Sequence, residues 1–396
     1  MKKSFFIVCA ALSIMGCAEV TVQDVPIVSN DDAVEVAFED VATDVRIVPL
    51  ISDDPIGACN ELHCYGNEVF LSDSRGEYIY YFVDGKLQST LHAVGRGPGE
   101  YSTIAHFTYS PSKKLLLVSA LGDINEYMKG SNSMVMKYTV PDMKFVGKIP
   151  VEGKIATMSC QDGDKMLCVT TAASMSLDDL SSVSLDTSKV IIADIETGET
   201  IRKIQNVSYY EFLQSDILQA PGKNLSNNIC IGGYVNKIFH CEDGKQTLAF
   251  AFTFGKKNIP QNIFDLDKAP DECLMQLMEF MLSEPAKDCL EGGFWPIVDK
   301  DRYSFWYHPV MESQRDHYYR YENGKTVNYR GFRAKGINRP ILPKTVDGTS
   351  YVTVMEGITE TLFGASQERS EFTGSLEKIM NAQNLNNPVL VYYKIK

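Results

Sequence analysis

A strand, a tight turn closed by glycine and a second strand recur along this chain, and that repeat limits the fold more than any other feature. Val83-Asp84-Gly85-Lys86 follows the run Tyr78 to Phe82. Glu242-Asp243-Gly244-Lys245 follows Lys237 to Cys241, and Glu322-Asn323-Gly324-Lys325 follows His317 to Tyr321. Asp-Gly and Asn-Gly reach positive φ cheaply, so each pair reads as a hairpin turn between strands. Glu196-Thr197-Gly198-Glu199 and Pro141-Asp142-Met143-Lys144 are weaker copies. Upstream of each turn lies another apolar run, at Glu68 to Asp73, Lys114 to Ser119, Lys165 to Thr170, Asn228 to Ile231 and Tyr303 to Tyr307.

The unit is strand, connection, strand, glycine turn, strand. Alone it cannot bury both faces of its sheet, so repetition implies stacking of units. Five units are visible. A sixth assembles from both ends of the chain: Ser350 to Met355 and Val389 to Lys394 late, Val45 to Leu50 early. Pairing the early strand with the late pair closes a ring and removes the open sheet edges. The expected fold is an all-β, six-bladed β-propeller with four-stranded antiparallel blades. At roughly 63 residues per blade the repeat exceeds the 40–50 of compact propellers. The excess falls in a polar, Ser-rich stretch at Thr171 to Ser188, read as a loop, and in helix candidates at Pro270 to Glu284 and within Met355 to Asn387.

The first residues read as a processing signal. Lys2 and Lys3 precede an apolar stretch, Phe5 to Met15, too short to span a bilayer. It ends in Ser13-Ile14-Met15-Gly16-Cys17, which resembles a bacterial lipobox and implies cleavage after Gly16 and a lipid on Cys17. A plain signal peptide with a chance cysteine is the alternative. The expected organisation is a signal peptide at 1–16, a lipidated tether at 17–43 and the propeller at 44–396, in the cell envelope and at the outer membrane. Hydrophobic residues at 44% and charged residues at 22% exclude a disordered chain and a polytopic membrane protein. A net charge of −13 argues against nucleic acid as a partner, since phosphate binding needs basic patches.

Eight of the ten cysteines lie beyond Cys17, in sequence-local pairs: Cys59 and Cys64, Cys160 and Cys168, Cys230 and Cys241, Cys273 and Cys289. An oxidising compartment permits bridges. The spacings do not match zinc sites. A two-residue turn at Val235-Asn236 would set Cys230 opposite Cys241, at the separation of about 4.5–5.5 Å that a disulfide accepts. That pair is the candidate disulfide; burial as small apolar side chains is the alternative for all eight.

Three further stretches carry a family resemblance: Gly95-Arg96-Gly97-Pro98-Gly99-Glu100-Tyr101, Phe252-Thr253-Phe254-Gly255-Lys256-Lys257, and Asn387 to Lys396 at the end. With Ile56-Gly57, they make the chain resemble the TolB-like six-bladed β-propeller lipoproteins of Gram-negative bacteria, a group related in pattern to NHL propellers. The resemblance implies the fold and an envelope location, and it implies no reaction.

The glycine-rich turn has neither dinucleotide-fingerprint spacing nor the Gly-Lys-Ser/Thr of a P-loop. Its glycines and proline suit a sharp crossing from the outer strand of one blade to the inner strand of the next. Arg96, Glu100 and Tyr101 are the candidate ligand-binding residues on it, against the alternative that they only lock the turn. Catalytic signals are thin. His63, His92, His106, His240, His308 and His317 form no close pair, and no GxSxG elbow is present. Ser110-Pro111-Ser112-Lys113 matches SxxK but falls in a turn, and Asp265 and Asp267 lie in a polar connection. Phe294-Trp295 and Phe305-Trp306 read as blade core before binding platform. No cofactor and no metal are expected. The expected function is a binding or scaffold module for a protein or glycan partner, held to a membrane by its lipid. The alternatives are a glycan hydrolase or lyase with an axial active site, and an assembly partner that docks a peptide.

Overall fold

The computed structural model of the chain describes residues 25–121, 133–151, 154–160, 165–176, 179–205, 228–232, 236–242, 245–260, 276, 279–299, 301–312, 314–357, 362–363, 368–383 and 387–396. Six sheets follow one another along the sequence. Blade one pairs Cys59–Tyr65, Glu68–Asp73, Ile79–Val83 and Lys86–Leu91 in that order, each antiparallel to the next. Blade two runs Thr103–Ser110, Leu115–Leu121, Ser133–Thr139 and Phe145–Val151. Blade three runs Lys154–Cys160, Lys165–Ser176, Asp179–Asp194 and Thr200–Gln205. Blade four shows Asn228–Gly232, Lys237–Glu242 and Lys245–Ala251 among the described residues. Blade five is built from Leu290–Asp299, Arg302–Pro309, His317–Glu322 and Lys325–Arg333.

Blade six closes the ring. Its order is Thr345–Asp347, Ser350–Met355, Val389–Ile395 and then Ala42–Pro49 from the start of the chain. Ile47 stands opposite Val391, and Pro49 opposite Val389. The expected pairing of the early strand with the late one is present, and the two terminal edges cover each other.

The turn chemistry accounts for the strand register. Asp84 and Gly85 have φ of +50° and +76°, and Asn323 and Gly324 of +51° and +77°. Two consecutive left-handed residues make the turn whose twist matches the flanking strands. Val83 therefore pairs with Lys86, and Glu322 with Lys325.

Blade faces meet in aromatic and aliphatic layers. Phe70 and Tyr81 of blade one pack with Phe107 and Tyr109 of blade two, and Leu62 and Phe82 of blade one with Val352 and Leu390 of blade six. Trp306, Tyr318 and Phe332 of blade five join Tyr351 and Tyr393 of blade six, so both tryptophan segments are core. Each buried Phe-sized side chain contributes about 1.5–3 kcal/mol, which makes blade-to-blade burial the main source of stability. The helix Glu371–Ala382 starts at Ser370, whose hydroxyl accepts the Thr373 amide, and seats Leu376 and Met380 on the blade-six core.

Two segments differ from the sequence reading. Part of the tether at 17–43 belongs to the folded body. Val28 and Thr253 share a backbone hydrogen bond of 2.7 Å, and Val34–Ala37 pairs in parallel with the outer strand of blade five. Phe38 and Val41 are buried against blade six. The chain thus crosses the rims of blades four and five before it closes blade six. The stretch 171–188, read as a loop, instead extends a hairpin: Ala172 pairs with Asp186 and Ser174 with Ser184. Backbone pairing across a hairpin does not depend on apolar side chains, so a Ser-rich stretch can continue a ladder that an apolar segment has begun. Of the helix candidate at 270–284, residues 276 and 279–281 are helical and most others lie outside the described residues.

Candidate functional site

The turn Gly95 to Tyr101 makes the crossing that its composition suggested. It joins Lys86–Leu91, the outer strand of blade one, to Thr103–Ser110, the inner strand of blade two. The Gly95 amide donates to the Tyr101 carbonyl at 2.9 Å, and the Tyr101 amide to the Ala93 carbonyl at 2.9 Å. Gly99 has φ +79°, and a Cβ there would overlap the Phe145 ring of blade two. The Tyr138 hydroxyl donates to the Gly99 carbonyl at 2.7 Å. Glycine is needed at 99 on both counts.

The three candidate residues separate in role. Tyr101 is 2% exposed, its hydroxyl donating to the Glu77 carbonyl at 2.9 Å and accepting from the Ala93 amide at 3.3 Å. Burial pushes that hydroxyl's pKa up to about 12. Glu100 folds back, its carboxylate accepting the Gly97 amide at 2.6 Å. Tyr101 and Glu100 therefore hold the turn, and Arg96 is the exposed guanidinium it presents.

Blade one also carries a groove of about 530 Å³, walled by the crossing from blade six into blade one and by the loop after Asp73. Its walls come from two separate connections, so no local pattern in the sequence marks it. Asp73 fixes one wall: its carboxylate accepts the Glu77 and Tyr78 amides, both at 2.9 Å. Gly57 fixes the other, since a Cβ there would sit 3.0 Å from the Asp73 Cβ. Asn387 ties that crossing to blade six, accepting the Ile56 amide at 3.0 Å. Tyr78 and Tyr80 line the groove, with ring planes 12° apart and centroids at 5.8 Å. His92 stacks on Tyr78 at 4.1 Å. Asp54, Ser74, Arg75 and Thr90 supply polar groups to the lining.

A second cluster joins two inner strands. Among the described residues Glu61 Oε2 accepts no hydrogen bond, while its Oε1 lies 2.8 Å from His63 Nε2. His106, on the inner strand of blade two, brings Nδ1 within 4.0 Å of that free oxygen. Spacing in the sequence hid this grouping, since 61 and 106 meet only across the blade boundary. Among the described residues no set of three His, Cys, Asp or Glu side chains is arranged to hold a metal ion. Burial raises the pKa of the nearby Cys59 thiol to about 12, which keeps it protonated.

Cys17, Asp265 and Asp267 lie outside the described residues. For Cys230 and Cys241 the expected register is corrected. Gly232, not residue 234, stands opposite Lys237, so the connection spans four residues instead of two. Cys230 then faces Phe239, and Cys241 faces Asn228. The two cysteines are offset by two positions, a diagonal of about 7–8 Å, beyond the usual reach of a disulfide. Cys59, Cys64, Cys160 and Cys289 are free thiols, so the local pair Cys59 and Cys64 is unbridged.

Comparison with known proteins agrees with this architecture. Among solved structures the chain is similar to a protein from Bacteroides fragilis named as exported, with TM-score 0.59, 15% identity, and coverage of 92% of this chain and 98% of that one. It is also similar to a member of the duf4221 family from Bacteroides vulgatus, with TM-score 0.44, 11% identity, and coverage of 90% and 98%. No curated protein matches. The family model described as a 6-bladed beta-propeller matches residues 18–280, and the chain belongs to that family.

Proposed function

We propose that this member of the six-bladed propeller family is a binding or scaffold module of the bacterial envelope, held at the outer membrane by a lipid on Cys17. The observation that carries the reading is an internally bonded turn that displays Arg96, together with an open groove on the same blade, blade one. Rigid elements that present a few polar groups beside a cleft are the usual construction of a binding site. The lipobox-like Ile14-Met15-Gly16-Cys17, the TolB-like resemblance and the exported name of the Bacteroides fragilis protein support the location. With the chain fastened to blade four at Val28, a lipid on Cys17 sits within about 40 Å of that rim, at 3.3–3.6 Å per residue. Blade one lies three blades away on the ring, so its face is left open to a protein or glycan partner.

The test is fractionation and capture from the native envelope. The lipidated chain should partition with membranes and Cys17→Ser should be released. Retention of the Cys17→Ser chain by membranes would remove the anchor from the reading.

The cluster of Glu61, His63 and His106 favours a second reading, a glycan hydrolase or lyase that works on the channel side of blades one and two. Glu61 would be its acid or base. Glu61→Gln would then abolish turnover of whatever glycan the protein is found to process, while a binding module keeps its partner.

A further inference from the structure

We propose that the groove between the 52–58 crossing and the 73–78 loop binds a neutral pyranose unit of a glycan, laid against the Tyr78 ring. The proposal rests on the binding-module reading and adds the class of ligand. Four features of the groove point to a sugar.

The first is the platform. Tyr78 immediately precedes the strand Ile79–Val83 and Tyr80 lies in it; Tyr80 is 8% exposed and belongs to the core, so the half-buried Tyr78 is the ring that the groove presents. The two ring planes differ by 12°, and His92 backs Tyr78 with a plane only 10° away. Such a stack holds its orientation before any ligand arrives, which lowers the ordering cost of binding. The axial C–H bonds of a pyranose carry slight positive charge and suit the negative face of an aromatic ring.

The second is the polar set. Asp54 and Arg75 are exposed at the groove, with the Ser74 and Thr90 hydroxyls beside them. A carboxylate accepts from sugar hydroxyls, a guanidinium donates to them, and charged partners make the stronger hydrogen bonds. Asp73 is not in this set, because its carboxylate already holds the loop amides.

The third is what the groove disfavours. Two carboxylates, Asp54 and Asp73, face one guanidinium, Arg75, in the lining, a balance that disfavours a phosphate or other anion. An extended peptide that adds to the sheet would need the outer edge of blade one. The start of that edge is taken: the Ile51 amide donates to the Gly85 carbonyl at 2.7 Å, and the Leu87 amide to the Ile51 carbonyl at 3.0 Å. The fourth is size. At about 530 Å³ the groove lies within the range of small-molecule sites and has room for one or two sugar rings.

The test is calorimetric titration of the full chain with cellohexaose, chitohexaose, maltohexaose and mannohexaose, and with inorganic phosphate as a separate arm. At least one hexasaccharide should bind with a Kd below about 1 mM, a threshold worth about 4.1 kcal/mol. Tyr78→Ala should weaken it at least tenfold, Tyr78→Phe should keep it, and Lys325→Ala, in the exposed turn of blade five, should leave it unchanged. If Tyr78→Ala fails to fold, the exposed substitutions Asp54→Asn and Arg75→Ala decide the matter by weakening the same sugar severalfold. Overturning results are the failure of all four sugars, sugar binding indifferent to these variants, or phosphate binding in their place. Should the sugars fail while a photo-crosslinking residue placed at position 96 labels a partner in intact cells, only the glycan assignment falls; should both fail, the binding-module reading falls with it.

Discussion

Asn387 accepts the Ile56 amide at 3.0 Å across 331 positions of sequence, and so ties the groove wall to the point where the ring closes. Its amide nitrogen also donates to the Ser52 carbonyl at 3.4 Å. The side chain is 4% exposed and fastens the crossing at two points. Asn387→Ala leaves a buried amide without its acceptor, which costs about 1–3 kcal/mol. Urea unfolding should show the loss, and Asn387→Asp, which keeps an acceptor, should recover part of it.

The turn at Gly95 to Tyr101 separates shape from display. Gly99→Ala brings a methyl group into the Phe145 ring at φ +79° and should cost about 1–3 kcal/mol. Arg96→Ala, on the exposed crest of the same turn, should change stability by less than about 0.5 kcal/mol. Unfolding curves of the two variants check the contrast. Equal losses would mean that Arg96 is part of the scaffold.

Alkaline pH should loosen the propeller through its tyrosines. Burial raises the hydroxyls of Tyr101 and Tyr319 to about 12, against about 10 in an unfolded chain. Below pH 10 both states carry the proton, and the stability from these groups is complete. Between pH 10 and 12 the unfolded chain ionises first, so stability falls through that window. Phenolate absorbance should lag that of free tyrosine and rise together with unfolding.

The backbone register of blade four leads to a chemical expectation at Cys230 and Cys241. With Cys230 opposite Phe239, the two should remain separate thiols. Mass spectrometry after alkylation without reduction should find both labelled. A linked peptide pair would require the strands to shift by two residues.

Much of the fold was legible because its signals are local. Asp84-Gly85 and Asn323-Gly324 fix two-residue turns by their own backbone preferences, and the apolar runs on either side mark the strands. Closure was legible for a different reason: the lone early strand at 45–50 and the late pair needed each other to avoid open edges. The rest depends on contacts between distant segments. Nothing in Val34–Ala37 announces a parallel partner at Lys325–Arg333, since its pairing comes from where the chain is led. The stretch 171–188 lacked apolar alternation and still pairs as a hairpin. Of the candidate site, Arg96 and its turn were readable from glycine and proline, whereas the anchoring of Tyr101 depends on the Glu77 carbonyl of a neighbouring loop. The groove and the Glu61, His63 and His106 cluster appear only when separate connections or separate blades meet.

The central claim is that the blade-one face is where this propeller meets its partner. A photo-crosslinking residue placed at position 96 tests it, with position 323 in the exposed turn of blade five as the control. Both chains would be expressed with their lipid signal and irradiated in intact cells. The account predicts one discrete adduct from position 96 and none of that mass from position 323. Equal labelling from both positions, or an adduct from position 323 alone, would contradict it.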